Sequence, residues 1–449
     1  MVKITFYGGV CEIGGNKVLI EDGDTKILLD FGKSFTAERQ WFNGRLKPRS
    51  TTALKDYFEF NLLPKINGLY SEEELEPTEI PYVNPEIHAV FISHAHQDHV
   101  EHLSLIDPKI PVYLSSTSKR FLEAAETTTP GIDYGKREYR PFTSNAPIQV
   151  NGLTVEPMPV DHSIFGACGF LIHTTEGTIV YTGDMRLQGM QSQITADFIA
   201  KAAAEKPIAL VTEGTRMLTK DPRQSLTESQ VGQQATKLAQ TDRLVMFTQY
   251  SKDVCRLNTF YNVAKNAGRT LVISAKTAYL LTTLQPEKTL CAFDPMTDPN
   301  VRVYFRKKKG GTYGDKDYYC WERPYMANMV TEEFVRQNRQ AILLNLDVQH
   351  FAELVDIQPE NNSHFIYSMS EPFSEEDIEE HLLHNWLKHF GVNYYQCHAS
   401  GHMSRAQLEK TVQTIAAKTV FPIHTQNPQM FMKLGKNVIN VQTGKTYQL

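Results

Sequence analysis

The stretch His94-Ala95-His96-Gln97-Asp98-His99 places four metal-binding side chains directly after the apolar run Ala89-Val90-Phe91-Ile92. A short run that is apolar throughout predicts a buried strand, so these side chains gather on the loop where it ends. In extended chain, side chains two apart point the same way. His94, His96 and Asp98 are therefore expected to face one point, while His99 turns towards a second. One loop offering ligands in two directions suits two metal ions. Imidazole and carboxylate groups without thiolate favour zinc, manganese or iron in a site open to water. The competing account is a surface histidine cluster or a satisfied turn, and the density of the pattern argues against it.

Residues of the same chemistry recur at the ends of other apolar runs. Asp30 closes Lys26-Ile-Leu-Leu-Asp30, His162 follows Val160-Asp161, and Asp184 follows Tyr181-Thr182-Gly183. Glu213 lies just past Ile208-Ala-Leu-Val211, His402 ends His398-Ala-Ser-Gly401-His402, and His424 ends Phe421-Pro422-Ile423-His424. Taken singly, each reads as a cap or turn residue. Taken in this order, they resemble the metallo-β-lactamase-fold hydrolases, whose signature is H-x-H-x-D-H after a strand. Within that group the chain resembles the β-CASP nucleases, and ribonuclease J in a short form without its C-terminal domain. The opening Tyr7-Gly-Gly-Val-Cys-Glu12-Ile-Gly14-Gly-Asn16 is similar to the start of those proteins. It matches a phosphate-binding loop poorly and predicts a tight turn between strands.

The resemblance implies an α/β fold, a metallo-β-lactamase αββα sandwich with an inserted Rossmann-like β-CASP domain. The expected division is residues 1–215 and 394–449 for the sandwich and 216–393 for the insertion. By the same resemblance His94, His96 and His162 hold one metal, Asp98, His99 and His424 hold the other, and Asp184 bridges them. Two zinc ions are implied, with manganese as the alternative. They would activate a shared hydroxide, since metal-bound water ionises near pH ~7 instead of ~16. Asp30 would fix the ring of a ligand histidine through its free N–H. His402 would protonate the leaving 3′ oxygen, with Glu213 holding it as a proton donor. His398, Ser400 and Gly401 are candidates for contact with a neighbouring phosphate. A strand-to-helix turn, with Ser404 capping a helix over 405–416, competes for that segment.

The implied activity is hydrolysis of single-stranded RNA to leave 5′-phosphates, as an endonuclease, a 5′-exonuclease or both. In the β-CASP group a histidine at the position of His424 goes with RNA, whereas DNA-repair branches tend to carry a small apolar residue there. A homodimer is carried as a candidate assembly. The alternatives are a small-molecule ester or lactone metallohydrolase and a non-catalytic RNA-processing subunit.

Composition sets the remaining bounds. A chain of 449 residues that is 41% hydrophobic has material for two domains with real cores. Its net charge of −5 is awkward for a protein that binds a polyanion, although a local basic face suffices. Arg306-Lys307-Lys308-Lys309, inside the insertion, is the one obvious basic cluster. Glu72-Glu73-Glu74 and Glu375-Glu376-Asp377 read as solvated faces, the latter opening a helix over 375–390 behind Ser374. Six cysteines without C-x-x-C spacing suggest free thiols in a reducing cytoplasm. No apolar run approaches membrane-spanning length, and the chain enters the strand Val2-Lys-Ile-Thr-Phe-Tyr7 with no signal-peptide layout.

The hydrophobic pattern predicts strands over 2–8, 16–22 and 25–30, then near 111–114, 148–158 and 168–182, including a hairpin turning at Glu176-Gly177. Alternation continues with strands at 244–248, 271–274, 341–345 and 364–368, a helix over 252–267 stopped by Gly268, and a strand over 437–442. Residues 34–86 are too long for a bare connection and are expected to carry short helices or to cover the site. His381, His384 and His389 read as an exposed helix face, and His102 as a neighbour of the ligands.

Overall fold

The computed structural model describes residues 1–221, 226–287, 290–370, 378–435 and 437–449. Among these, three sheets form. The first runs in space as Thr446–Gln448, Val2–Gly8, Lys17–Asp22, Thr25–Leu29, Ala89–Phe91, Val112–Ser115 and Tyr139–Phe142. The second runs Thr419–Pro422, Ala209–Thr212, Gly177–Tyr181, Cys168–Thr174, Leu153–Pro159 and Ile148–Val150. Period-two alternation decides how these two face each other. Val18, Ile20, Ile27 and Leu29 point into a core shared with Phe170, Ile172, Ile179 and Val211, while Leu19 and Leu28 point outward under helices. Strands buried on both faces read as continuous apolar runs, as Ala89-Val90-Phe91-Ile92 does. Helices Ser192–Ala204 and Arg405–Ile415 cover the second sheet's outer face. The result is the expected helix–sheet–sheet–helix sandwich.

The third sheet is parallel throughout, in the order Met329–Val330, Val301–Tyr304, Thr270–Ser274, Ile342–Asn345, Val245–Thr248, His364–Tyr367 and Asn393–Gln396. Helices on both faces complete a Rossmann-like layer. Its last strand delivers the chain straight to His398 and His402. One contiguous apolar cluster joins it to the sandwich, running from Phe121 and Leu122 on helix Ser116–Thr128 to Leu280 and Leu281 on helix Ala275–Leu284.

Two expectations change in detail, and a third falls partly outside the described residues. The strand foreseen over 148–158 is a hairpin, Ile148–Val150 with Leu153–Pro159, turning at Asn151-Gly152. Asn151 takes a positive φ there, as hairpin turns with an Asn-Gly pair require. The strand foreseen over 437–442 is absent among the described residues. Only Val438 makes a bridge, to Val420, and the edge strand is Thr446–Gln448. Ser374 and the acidic turn 375–377 lie outside the described residues. The helix beyond them is Ile378–His389. Residues 34–86 carry the short helices Phe35–Arg39, Ala53–Glu59 and Glu72–Leu75. Ser404 caps helix Arg405–Ile415 in a capping box with Gln407.

Candidate metal centre

Six strand ends from the two facing sheets deliver the site, which is why its residues are so far apart in sequence. His94, His96 and His162 form one group, and Asp98, His99, Asp184 and His424 a second. His94 Nε2 lies 3.1 Å and His162 Nε2 3.2 Å from His96 Nδ1. One ring nitrogen carries at most one proton and cannot satisfy both neighbours. Nitrogens held 2.0–2.1 Å from a tetrahedral ion stand about 3.3 Å apart, so this spacing fits a metal better than a hydrogen-bond pair. Asp184 Oδ2 lies 3.7 and 3.9 Å from the Nε2 atoms of His94 and His162, and 3.3 and 3.5 Å from those of His99 and His424. It therefore sits between the groups. Its other oxygen, Oδ1, is buried without a hydrogen-bond partner. A buried carboxylate oxygen left unpaired is costly, and a cation at this point would satisfy it. The residues present fit a metal site.

Hydrogen bonds behind the ligands fix which nitrogen each ring presents. Asp30 Oδ2 accepts from His99 Nδ1 at 2.8 Å, leaving Nε2 aimed at Asp184. Gly401 O accepts from His162 Nδ1 at 2.6 Å, and Thr215 Oγ1 pairs with His424 Nδ1 at 2.8 Å. Asp30 is itself held by Ser93 N, Ser93 Oγ and the Tyr181 hydroxyl at 2.6–2.8 Å. Asp30 and His424 both have left-handed backbone, φ 56° and 49°. Such strain concentrates at functional sites.

Charge divides the two groups. Burial, with repulsion from neighbouring imidazoles, pushes His94 and His162 well below the ordinary histidine range, and burial takes His96 down to about 3. These three are neutral donors near pH 7. Burial opposes protonation of His99 and His424 too, but Asp184 with Asp30 and Asp98 outweighs it, raising His99 strongly and His424 to about 9. Burial likewise opposes ionisation of Asp98 and Asp184, yet His99 and His424 hold both below the usual carboxylate range. The second group is built to surround positive charge.

The structure brings together the remaining expected residues with one correction. Asp98 does not join His94 and His96 as alternation along an extended loop implies. Residues Gln97–Val100 curl into a short helix with His96 at its N-cap, so alternation stops at His96. Asp98 Oδ2 then meets His424 Nε2 at 3.0 Å. His402 Nδ1 pairs with Glu213 Oε1 at 3.2 Å, and its ring lies 5.0 Å from that of His162. His402 also forms a third group with His162 and Asp184. His398 is buried, its Nδ1 3.1 Å from both Arg256 Nη1 and Ser368 O. Ser400 Oγ accepts from His402 N at 3.1 Å. Gly401 is glycine because a Cβ there would stand 2.7 Å from Ser163 Oγ and 3.1 Å from His162 Cε1. That reason differs from close approach to a phosphate.

Several supporting residues carried no readable signal. Ser93, Tyr181 and Thr215 look like ordinary strand-end residues. Gln188 donates to both Ser400 O and His402 O at 2.8 Å, clamping that turn. The opening glycine turn could have been read as part of the site. Gly9 O accepts from His424 N at 2.7 Å, and a Cβ on Gly14 would strike Asp98.

A family profile described as a beta-lactamase superfamily domain matches residues 64–239. Ribonuclease J of Mycoplasma genitalium is 23% identical over 98% of the chain and 70% of its own length. The chain is similar to ribonuclease J and has the metallo-β-lactamase fold. Ribonuclease J of Helicobacter pylori strain 26695 is 27% identical to this chain over 41% of it, a match spanning 23% of the Helicobacter protein. A crystal structure of a protein of unknown function from Enterococcus faecalis V583 shares the fold with a TM-score of 0.79, at 24% identity over the whole of both chains. No helix among the described residues is long and apolar enough to cross a membrane.

Proposed function

We propose that the chain is a metal-dependent ribonuclease that hydrolyses phosphodiester bonds of single-stranded RNA at a two-metal centre, leaving 5′-phosphates. The observation that carries this is Asp184 Oδ2 placed between two ligand groups, with the His402–Glu213 pair beside them. Similarity to proteins named ribonuclease J supports the choice of substrate. His94, His96 and His162 would hold one ion, Asp98, His99 and His424 the other, and Asp184 both. When bound, such a pair of zinc or manganese ions supplies Lewis acidity and a water of lowered pKa next to phosphorus.

The chain's own groups do the rest. Asp30, through Nδ1 of His99, holds that ring in one orientation. Glu213 occupies Nδ1 of His402, which leaves Nε2 to give a proton to the departing 3′ oxygen. His398 and Ser400 would donate hydrogen bonds to an adjacent phosphate. Matched single-stranded RNA and DNA oligonucleotides, with a 5′-monophosphate and a 3′ label, test the assignment with wild type and Asp98→Ala. RNA cleavage that disappears in a variant of unchanged circular dichroism is the expected result. Cleavage of neither strand by metal-loaded protein would turn the assignment towards a small-molecule hydrolase or a silent subunit.

A further inference from the structure

Resting on the single-stranded RNA assignment above, we propose that residues 39–55 form a strap that takes up the RNA beside the metal centre, Trp41 stacking a base while Arg39, Arg45, Lys47 and Lys55 hold phosphates. Residues 39–55 carry five cations and no acidic residue, in a chain of net charge −5. Arg49 is spent locally, its Nε 3.0 and 3.1 Å from the two oxygens of Asp56. The other four are exposed and make no ion pair among the described residues. The cluster that stands out in the sequence is different. Lys307 is paired with Glu332 at 3.0 Å and Lys308 with Glu322 at 2.6 Å, so half of that charge is already answered.

The strap also presents a flat ring. Trp41 is 45% exposed and stacks on Phe60 with centroids 4.2 Å apart and planes at 17°. An exposed ring held parallel to a second ring, with free cations on either side in sequence, is the composition that binds single strands without sequence preference.

Its position ties it to the site. From Phe60 the aromatic contacts continue through Phe42 and Tyr57 to His102, the Tyr57 and His102 centroids being 4.8 Å apart. His102 Nε2 pairs with Glu38 Oε1 at 2.8 Å. At the strap's root, Phe31 N donates to His99 O and Lys33 N to Gln97 O, at 2.8 and 3.0 Å. The chain that leads into the strap is thus bonded to the His94–His99 loop, and an RNA held on the strap would approach those residues. A solvated surface loop would need neither the stacked pair nor the row of rings leading inward.

The test measures affinity for a 2′-O-methyl 12-mer, which resists hydrolysis, across a range of salt, beside cleavage of the matching RNA by wild type. Wild type should bind with tryptophan quenching, and Trp41→Ala should weaken binding roughly tenfold while Trp41→Phe restores most of it. Arg45→Ala/Lys47→Ala should lower the log–log salt slope by about 1.4, since each single-strand phosphate contact contributes about 0.7. Unchanged affinity and slope in these variants, with wild type cutting RNA, would overturn the strap and leave the ribonuclease assignment standing. Wild type that neither binds nor cuts RNA would overturn both. Weakened binding in a protein that binds RNA without cutting it would support the strap and remove the nuclease assignment alone.

Discussion

Asp30 is the residue on which the ligand set turns. Its carboxylate has no exposure and accepts from Ser93, Tyr181 and His99 while its backbone sits at φ 56°. Asp30→Asn keeps the shape and tolerates that backbone, but replaces one acceptor oxygen by a donor. Metal affinity should fall by roughly 10–100-fold, the usual effect of losing a group that orients a ligand histidine. Competition with a chromogenic chelator measures this, and unchanged affinity would show that His99 is oriented without Asp30. His402→Ala should lower kcat by about 10²–10⁴-fold, the range for a general acid, with metal content intact. Loss of metal, read by elemental analysis, would move His402 into the ligand set beside His162 and Asp184. At this scale the sequence was legible wherever chemistry forces residue type, as with the histidines and aspartates at strand ends. It was silent on Ser93, Tyr181 and Gln188, whose roles depend only on where tertiary structure puts them. Asp98 was assigned to the wrong neighbours by alternation because it sits inside the short helix Gln97–Val100.

At the scale of elements, one hydrogen bond ties the side of the third sheet to the metal loop. Lys252 comes just before helix Val254–Asn266, and its Nζ donates to Ala95 O at 2.7 Å, between His94 and His96. Burial takes its pKa down to about 8. Lys252→Met keeps the buried stem and removes the donor. A hydrogen bond of this kind is worth about 1–3 kcal/mol, so amide exchange across 94–98 should accelerate roughly tenfold or more. Mass spectrometry of that peptide reads the change, and an unaltered rate would mean the loop is held by its own turn alone. This helix was legible to within two residues of its start, where Asp253 caps it and its side chain accepts from Arg256 N. The reach of Lys252 into the other domain was not, because periodicity describes which face is buried and not against what. The hairpin at Asn151-Gly152 was legible in principle, as that pair is a strong turn signal. The strand expected over 437–442 failed because, although Val441 is buried in the core, its pairing with the sheet stops at a single bridge between Val438 and Val420.

Across the whole molecule, the candidate metal centre also bears on stability. Without a cation, the second group holds two buried carboxylates beside two histidines whose protonation burial opposes. An ion bound at a hundredfold excess over its dissociation constant adds about 2.7 kcal/mol to stability. Extraction with a chelator should therefore lower the melting temperature by several degrees, with recovery on adding zinc or manganese. An identical melting curve before and after would indicate that the ligands are satisfied without metal. The layer order of the sandwich was legible only through the family resemblance carried by the histidines and aspartates at strand ends, while the strand–helix alternation of the third sheet was legible from its apolar runs. The closing of each sandwich sheet by late strands, Thr419–Pro422 beside Ala209–Thr212 and Thr446–Gln448 beside Val2–Gly8, was not, since pairing between distant segments leaves no local trace.

That long-range closure has a consequence during synthesis. His424 meets Asp98 across 326 positions of chain, and its backbone is held by Gly9 at the start. A nascent polypeptide that already exposes the His94–His99 loop still lacks the strand and the imidazole that complete the second ligand group. Translation therefore has to pass residue 424 before the centre can assemble, and a product cut short ahead of that residue leaves the ribosome with the site unfinished.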